Sequence, residues 1–525
     1  MSERYDVIII GTGAGGGTLL HALAGSGLRI LVLERGGFLP REAQNHDEHA
    51  VFVKGRYLAD DAWLDAEGRE FRPYTHYWVG GNTKVYGAAL LRLRESDFDE
   101  VVHHGGVSPA WPIGYDEMEP YYTRAERLFS VHGEAGVDPC EPRRSAPYPH
   151  PPVPMEPRMA ELCEAFRSRG LRPFPCALGV RLRAGETRPS SRFDGYPDPT
   201  GSKADSEVVC VAAAARRPNV TLVTGAKAER LEASSSGREI RAVVVNRNGG
   251  AERYEADLFV VACGAVNSAA LLLRSATLAH PRGLGNSSGQ VGRNYMRHQN
   301  GLLIALTDEP HDSPFQKAFA LTDFYRGDAG WPYPMGTVQL MGKPDSEYLS
   351  SLVGDRLPGV PREGIGRHTI DFFLTAEDLP DSGNRVTLAE DGRIRLECRD
   401  TNGEAYGRLL ARFTRHLDAA MGAKSGRTTG RFHAHRRLGV EGVSHQCGTL
   451  RMGNDAATSV VDRDCKAHDL DNLYVADSAV FPSSGAVNPS LTIMANALRV
   501  GDRILERLGR AAAQAPAARG RALPA

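Results

Sequence analysis

Residues 5–34 read YDVIIIGTGAGGGTLLHALAGSGLRILVLE, and this stretch decides the fold of the chain. Val7–Ile10 is a run of branched apolar residues typical of a buried strand, and Ile30–Leu33 is a second run of the same kind. Between them, leucines recur at the spacing of an amphipathic helix. The order strand, helix, strand predicts a βαβ unit and therefore an α/β domain around a parallel sheet.

The first turn of this unit carries the pattern G-x-G-x-x-G at Gly11, Gly13 and Gly16. In such a turn, Gly11 permits the tight bend, Gly13 lets a pyrophosphate approach the backbone, and Gly16 lets the helix pack closely on the strand. The helix N-terminus offers unpaired N–H groups to phosphates. Glu34 ends the second strand, where its carboxylate is placed to accept hydrogen bonds from ribose hydroxyls. The pattern predicts a dinucleotide site, and the alternative is a glycine-rich turn that binds nothing.

The length and composition of the chain favour a large globular protein. With 525 residues, the chain is too long for one ordinary core, so we expect two domains or one elaborated fold. The net charge of -1 argues against a nucleic-acid partner, which would require a basic face. No apolar run reaches the roughly 20 residues of a membrane helix, so no membrane association is expected.

Eight cysteines are scattered without a C-x-x-C pair, which speaks against a zinc site. Reduced thiols in a cytoplasmic protein are the simpler interpretation. The first strand begins about five residues from the start, which leaves no room for a signal peptide. The Ala/Pro/Arg-rich residues 510–525 are predicted to form a disordered tail.

Later segments predict two further parts of the fold. Residues 256–274 repeat the order buried strand, glycine turn, helix, and they predict another strand of the first sheet beyond a long insertion. Residues 301–437 alternate short strands with turns, which predicts an antiparallel sheet in a second, substrate-facing domain with a helix over 407–421. The expected strands of that second domain are Leu302–Leu306, Val338–Leu340, Thr369–Leu374 and Arg385–Leu388.

Four blocks in order resemble the glucose–methanol–choline (GMC) family of FAD-dependent oxidoreductases. They are GTGAGG with Glu34, VGGNTKVYGAALLRLRESDF, VVACGAVNSAALLLRS, and SHQCGTLRMG followed by DNLYVADSAVFPSSGAVNPSLTIMANALR. The resemblance spans Tyr5 to about Leu508. It implies a Rossmann-like FAD domain in three pieces, at 1–95, 204–300 and 441–509, a cap segment at 96–203 and a substrate domain at 301–440.

The resemblance also implies the cofactor contacts and the catalytic pair. His445 would be the base that takes the hydroxyl proton, and Asn488 would hold the same oxygen. By itself, His445 could equally be a structural histidine, and Asn488 a turn residue beside Pro489. The roles of His76 and His298 stay open. The implied FAD contacts are Gly11, Gly13, Ala14, Gly15, Gly16, Glu34, Arg35, Gly80, Gly81, Asn82, Thr83, Val85, Cys263, Gly264, Asp477, Ser478, Asn488, Pro489 and Thr492.

A His–Asn pair resembles the pyranose and glycoside oxidase or dehydrogenase branch of the family. Fungal pyranose 2-oxidases carry a flavin-linked histidine just after their Gly-Gly turn, where this chain has Val85. FAD is therefore expected to be held without a covalent bond. The expected substrate is a sugar or glycoside, oxidised at a secondary ring hydroxyl with C2 or C3 favoured, and oxygen or a quinone-type acceptor takes the electrons.

For the substrate site, residues 315–343 are rich in aromatic and polar side chains. Asp323 and Gln339 are the predicted hydrogen-bonding residues, and five aromatics are predicted to stack on a sugar face. The alternative is that these aromatics belong to the core. The five are Phe319, Phe324, Tyr325, Trp331 and Tyr333.

Other functions remain open from sequence alone. The opening βαβ unit also fits an NAD-dependent dehydrogenase. Within the family, a non-sugar alcohol or polyol is an alternative substrate, and some members are FAD-binding lyases without net redox chemistry. A protein that binds flavin without catalysis is a further alternative. The presence of both His445 and Asn488 argues against it.

Overall fold

The computed structural model describes residues 4–189, 192–307, 310–313, 315–342, 349–350, 362–425 and 433–510. The predicted tail lies outside the described residues from position 511 onward. Among the described residues, no helix is long and apolar enough to cross a bilayer.

A seven-stranded sheet, here called the dinucleotide sheet, organises the fold. Its central strands carry branched apolar residues that are buried on both faces, with Val7, Ile8 and Ile9 fully inaccessible to solvent. Five strands are parallel neighbours, in the order Val220–Val223, Ile30–Leu33, Arg4–Ile10, Gly250–Val261 and Leu473–Val475. The first half of Gly250–Val261 also pairs with the antiparallel hairpin Ile240–Arg247 and Ala226–Ala233. The predicted return of the chain to the first sheet is confirmed.

Three helices follow strands of this sheet and cover it. They are Ala14–Leu23, Ala265–Arg274 and Ser490–Arg507. The first and last helices cross closely, because a Cβ on Gly501 would lie 2.8 Å from the Cβ of Ala22. Two chain ends, more than 450 residues apart in sequence, therefore meet against one sheet face.

A second, six-stranded sheet, here called the substrate sheet, is antiparallel throughout, as predicted. Its helices Pro157–Arg167 and Gly403–Ser425 share a separate hydrophobic cluster with it. Its strands, in order, are His433–Arg437, Gln299–Leu306, Thr369–Ala376, Thr337–Leu340, Phe319–Leu321 and Phe174–Pro175.

One predicted strand belongs elsewhere. Arg385–Leu388 pairs with Ile394–Glu397, and that hairpin joins Trp63–Leu64 and Glu70–Phe71 in a four-stranded sheet. Val386 is buried against the core around the dinucleotide sheet rather than that of the substrate sheet. The expectation that Arg385–Leu388 extends the substrate sheet is therefore wrong, since strand periodicity does not indicate the pairing partner.

Two further helical segments differ in regularity. The first is a helix that begins at Tyr115 and ends at Leu128, with Pro120 inside it. Burial of Tyr115, Met118 and Tyr122 on one face stabilises this start. The second is a π-helical turn at Glu207–Val211, which is followed by the short α-helical turn Ala212–Ala214.

Short elements complete the structure. Small two-stranded pairs join Val101–His103 to Gly106–Ser108, Val131–His132 to Leu178–Gly179, and Met296–Arg297 to Gln446–Cys447. The 3₁₀ turns are Ala43–His46, Gly81–Lys84, Glu95–Phe98, Arg362–His368, Val440–Gly442 and Ser478–Val480, and a π-turn spans His49–Val53.

Candidate active site

One continuous cavity of about 730 Å³ runs between the two sheets. At one end it is lined by Gly11 and Glu34 of the βαβ unit, and at the other by His445 and Asn488. The predicted cofactor residues and the predicted catalytic pair therefore share one space.

The dinucleotide end is formed by backbone. The helix Ala14–Leu23 has no side chain capping its N-terminus, so its first N–H groups are available to an anion. A Cβ on Gly13 would meet no atom within 4 Å, which leaves space for a phosphate against the backbone. A Cβ on Gly16 would lie 2.1 Å from the oxygen of Gly11, so this glycine serves helix–strand packing. These features fit a dinucleotide pyrophosphate.

Two buried carboxylates fix this end. Glu34 accepts hydrogen bonds from the backbone N–H and the hydroxyl of Thr12, at 3.1 and 2.6 Å, and from the N–H of Gly36 at 2.9 Å. Burial raises the pKa of Glu34, although these bonds oppose the shift. Each bond uses one of about four acceptor positions on a carboxylate, so Glu34 keeps capacity for a ribose hydroxyl.

Asp477 is the second buried carboxylate, and it lies just after the strand Leu473–Val475. It accepts from the N–H of Gly264 at 2.9 Å, from the hydroxyl of Ser268 at 2.6 Å and from the N–H of Ala479 at 2.8 Å. Burial raises its pKa as well. Asp477 therefore caps the turn Ser478–Val480 and also lines the cavity.

The Gly80-Gly81 turn lies directly against the dinucleotide loop, since a Cβ on Gly81 would be 3.0 Å from the Cα of Gly13. Asn82 accepts from the backbone N–H of His76 at 2.9 Å. Burial lowers the pKa of His76 to about 4, so this histidine is neutral at the cavity wall. Val85 also lines the cavity.

At the catalytic end, His445 lines the cavity and His298 lies behind it. Their Nδ1 atoms are 2.9 Å apart. Burial, followed by the neighbouring His298 and Lys317, holds the pKa of His445 well below its ordinary value. His445 is thus neutral near pH 7, the form in which an imidazole accepts a proton. Its Nε2 has no hydrogen-bond partner among the described residues.

Asn488 lies on the same cavity, and Gln339 orients it. The amide nitrogen of Gln339 donates to the Asn488 side-chain oxygen at 3.1 Å. The Asn488 amide nitrogen is left without an acceptor among the described residues and is therefore available to a ligand. The side-chain oxygens of Gln339 and Asn300 are buried without a partner, although both residues line the cavity. Buried acceptors of this kind cost free energy, because neither a protein donor nor solvent reaches them.

Most of the predicted site residues come together. The lining includes Gly11, Gly13, Ala14, Gly15, Glu34, Arg35, Gly81, Asn82, Thr83, Val85, Cys263, Gly264, Asp477, Ser478, Asn488, Pro489, Gln339 and His445.

Four predicted residues do not reach the cavity. Gly16 and Gly80 support the loops behind it. The hydroxyl of Thr492 lies 2.8 Å from that of Tyr122 inside the core. Asp323 accepts from the backbone and side chain of Arg172 instead.

The structure thus gives no site role to Asp323 or Thr492. The stacking prediction fails too, because Phe319, Phe324, Tyr325 and Trp331 are core residues and Tyr333 packs against them. Sequence reasoning missed Asn300, Phe373 and Tyr77, all of which line the cavity. Tyr77 stacks under Arg35, with the guanidinium carbon 3.6 Å from the ring centre.

This fold and site define an FAD-dependent oxidoreductase acting on CH–OH groups, and the chain belongs to the GMC oxidoreductase family. The N-terminal profile of that family matches residues 5–300, and the C-terminal profile matches residues 380–497. The cofactor is FAD, which the dinucleotide end fits.

Several known proteins are similar over nearly the whole chain. Paromamine 6'-oxidase of Streptomyces fradiae is 34% identical, covering 94% of this chain and 90% of its own. The 6'''-hydroxyparomomycin C oxidase of Streptomyces lividus is 35% identical, covering 96% and 92%. Among solved structures, pyridoxine 4-oxidase from Mesorbium loti superposes with a TM-score of 0.65 at 20% identity, covering 96% of this chain and 99% of that one.

Proposed function

We propose that this enzyme oxidises a hydroxyl group of a sugar or glycoside, amino sugars included, with His445 as the base and Asn488 as the hydrogen-bond donor. The observation that supports this most directly is the pairing of a free imidazole nitrogen with a free amide N–H on one cavity wall. FAD, when bound, supplies the hydride acceptor for the carbinol carbon.

The two side chains have complementary tasks. His445 accepts the hydroxyl proton at Nε2, and a base of this kind contributes on the order of 10²–10⁴ in rate. Asn488 donates from its amide nitrogen to the same oxygen and stabilises the negative charge that develops there, worth about 10²–10³. Both act on the substrate oxygen, so neither needs to contact the electron acceptor, which we propose to be oxygen or a quinone.

Two features support a sugar-like substrate. The cavity wall beside His445 carries the polar side chains of Asn300 and Asn488, which the several hydroxyl groups of a sugar are suited to meet. The similar oxidases from Streptomyces are named for paromamine and hydroxyparomomycin. A hydrocarbon alcohol, with a single hydroxyl, would use fewer of these polar groups.

The oxidised carbon has two candidates. A secondary ring hydroxyl at C2 or C3 is favoured by the resemblance of the His–Asn pair to the pyranose oxidase branch. The names of the two Streptomyces oxidases favour position 6 instead, which in hexopyranose numbering is the exocyclic carbon. The first would give a ketone and the second an aldehyde.

Anaerobic mixing of the FAD-bound enzyme with pyranoses, glycosides, paromamine, polyols and sterols tests the proposal. Bleaching of the flavin by sugars or amino sugars is expected, and NMR of the product separates ketone from aldehyde. Reoxidation by oxygen or a quinone then identifies the acceptor. Bleaching by sterols alone, or turnover of a compound without any bleaching, would overturn the proposal, and the latter would point to a lyase.

We also propose that FAD is held without a covalent bond, because Val85 occupies the position of a linking histidine and lines the cavity. Acid precipitation should leave yellow flavin in the supernatant over a colourless pellet. Flavin that stays with the pellet would contradict this.

A further inference from the structure

Behind the proposed base lies a second histidine that the mechanism does not yet use. His298 is 2% exposed and has no share in the cavity lining. Its ring stands perpendicular to that of His445, with centroids 5.0 Å apart. The contact is produced by strand register, since Arg297 pairs with Gln446 in the small sheet and each histidine adjoins one of these residues.

The hydrogen bonds around His298 determine where its proton lies. Its Nε2 is 3.3 Å from the backbone oxygen of Ser484. A carbonyl oxygen only accepts, so Nε2 must carry the hydrogen. Burial lowers the pKa of His298, so the ring is neutral and its Nδ1 has no proton.

The proton between the two rings therefore belongs to His445. His298 Nδ1 accepts at 2.9 Å, and the donor is the Nδ1–H of His445. The opposite arrangement would place a lone pair of His298 Nε2 against the Ser484 carbonyl in a buried site, where an unmade bond costs about 1–3 kcal/mol. A neutral His445 with its proton on Nδ1 has a bare Nε2.

The Ser484 carbonyl, which accepts the hydrogen bond from His298, is itself held in place by neighbouring hydrogen bonds. The Ser484 hydroxyl donates to the backbone oxygen of Asp378 at 3.2 Å. The next residue, Gly485, donates its N–H to the buried carboxylate of Glu377 at 3.0 Å. The carbonyl thus cannot turn away without breaking buried hydrogen bonds.

We propose that His298 is a positioning residue that selects the tautomer of His445, keeping the proton on Nδ1 and the lone pair of Nε2 toward the substrate hydroxyl. The inference rests on the proposed base role of His445. His298 touches neither substrate nor flavin and acts only through the ring in front of it. Which nitrogen of a histidine is protonated is commonly fixed by the bond that the other nitrogen makes.

The first test reads the tautomer without catalysis. The FAD-bound enzyme is labelled with ¹⁵N in the imidazole rings, and multiple-bond ¹H–¹⁵N spectra are recorded near pH 7.5. The His445 signal is assigned by its loss in His445→Gln. We expect a protonated Nδ1 and an unprotonated Nε2, and the reverse pattern in the wild-type enzyme would overturn the proposal. Because this readout does not use turnover, it remains valid even if His445 proves not to be the base.

The second test uses two substitutions of similar size. His298→Gln offers both an acceptor for His445 and a donor for the Ser484 carbonyl, whereas His298→Leu offers neither. In anaerobic stopped-flow, His298→Leu should reduce its flavin about tenfold more slowly or worse, part of the 10²–10⁴ that a base contributes. The substrate dissociation constant should change little, and His298→Gln should recover most of the rate together with the wild-type tautomer.

A matched control is His132→Leu. His132 is also buried, and its Nδ1 donates to the Pro151 carbonyl at 2.8 Å, but it has no contact with His445. It should leave flavin reduction and the His445 signal unchanged. Equal rates for His298→Leu and wild type would overturn the proposal. So would a His298→Gln variant that keeps the tautomer and yet is as slow as His298→Leu, since packing alone would then explain the loss. If His298→Leu does not fold, the wild-type spectrum and His298→Gln still decide.

Discussion

The two ends of the cavity are built by different means. The dinucleotide end uses the backbone of one contiguous loop, residues 11–16, held by the carboxylates of Glu34 and Asp477. The catalytic end uses side chains from three separate segments, at Gln339, His445 and Asn488, with His298 behind His445. The dinucleotide end depends on the space that its glycines leave open. The catalytic end depends on how its side chains are oriented. Substitutions at the two ends should therefore fail in different ways.

The largest effect is expected at the dinucleotide end. In Gly15→Ala, the new Cβ would lie 1.6 Å from the backbone oxygen of Ala476, in the strand-end segment that also carries Asp477. Overpacking by side chains typically costs about 1–3 kcal/mol, and a Cβ that clashes with a backbone oxygen cannot relax as easily as one that meets a side chain. Gly15→Ala should yield little soluble protein and no bound flavin, measured by the ratio of flavin to protein absorbance and by the melting temperature.

Two other glycines sharpen this prediction. Gly407→Ala lies in the helix Gly403–Ser425, and outside that helix's own backbone no described atom lies within 4 Å of the new Cβ, so it should be neutral or stabilising. In Gly13→Ala the new Cβ likewise meets no described atom beyond its chain neighbours, so the variant should fold normally and lose FAD affinity alone. Normal flavin content in Gly15→Ala would show that the loop can shift and would remove the contrast between the two ends.

At the catalytic end, substitutions should spare the fold and slow the chemistry. His445→Ala should bind FAD normally and reduce it about 10²–10⁴ more slowly at saturating substrate, in line with the loss of a general base. Asn488→Ala should lose about 10²–10³, the cost of one donor to a developing oxyanion. Anaerobic stopped-flow measures both. Near wild-type reduction by His445→Ala would place the base elsewhere, with His76 to be tested next.

The same contrast explains what the sequence could predict. Local pattern was enough for the βαβ unit, for the return of the chain at residues 256–274 and for the family, because each is a contiguous motif. Through the resemblance it also proposed His445 and Asn488, which line one cavity in the structure. Each of these features is formed by residues that are close in sequence, so a single sequence is enough to reveal it.

The rest depends on pairing between distant strands. Arg385–Leu388 reads as a strand, but only its partners show that it belongs to the four-stranded sheet. Asp323 and the aromatics near it have suitable chemistry for a sugar site, yet they lie against Arg172 and in the core. Gln339 was predicted as a substrate contact, and the structure adds its bond to Asn488. Side-chain direction in these segments follows from register, which composition does not encode.

A smaller effect is expected at Gln339. Gln339→Met keeps the length of the side chain and removes the donor to the Asn488 oxygen, so the Asn488 amide is free to turn. Flavin reduction should slow by roughly tenfold, in keeping with one lost hydrogen bond of about 1 kcal/mol or slightly more. In an Asn488→Ala background, Gln339→Met should add almost nothing, because its effect passes through Asn488. Additive losses in this double-mutant cycle would show that Gln339 acts on the substrate by itself.

The smallest effect near neutrality is that of pH. His445 must be neutral to accept a proton, and its ordinary pKa would be about 6.5. Burial lowers that pKa well below this value, and the neighbouring His298 and Lys317 lower it further. Burial also lowers the pKa of His298, although Glu377 partly opposes that shift. A base with a lowered pKa loses activity only as pH falls through the lowered value.

Flavin reduction at saturating substrate should therefore be level around pH 7 and decline only below about pH 6.5. His445→Ala should lack this acidic limb. A limb centred at or above pH 7 in the wild-type enzyme would mean that His445 is more exposed to water or negative charge than its contacts indicate.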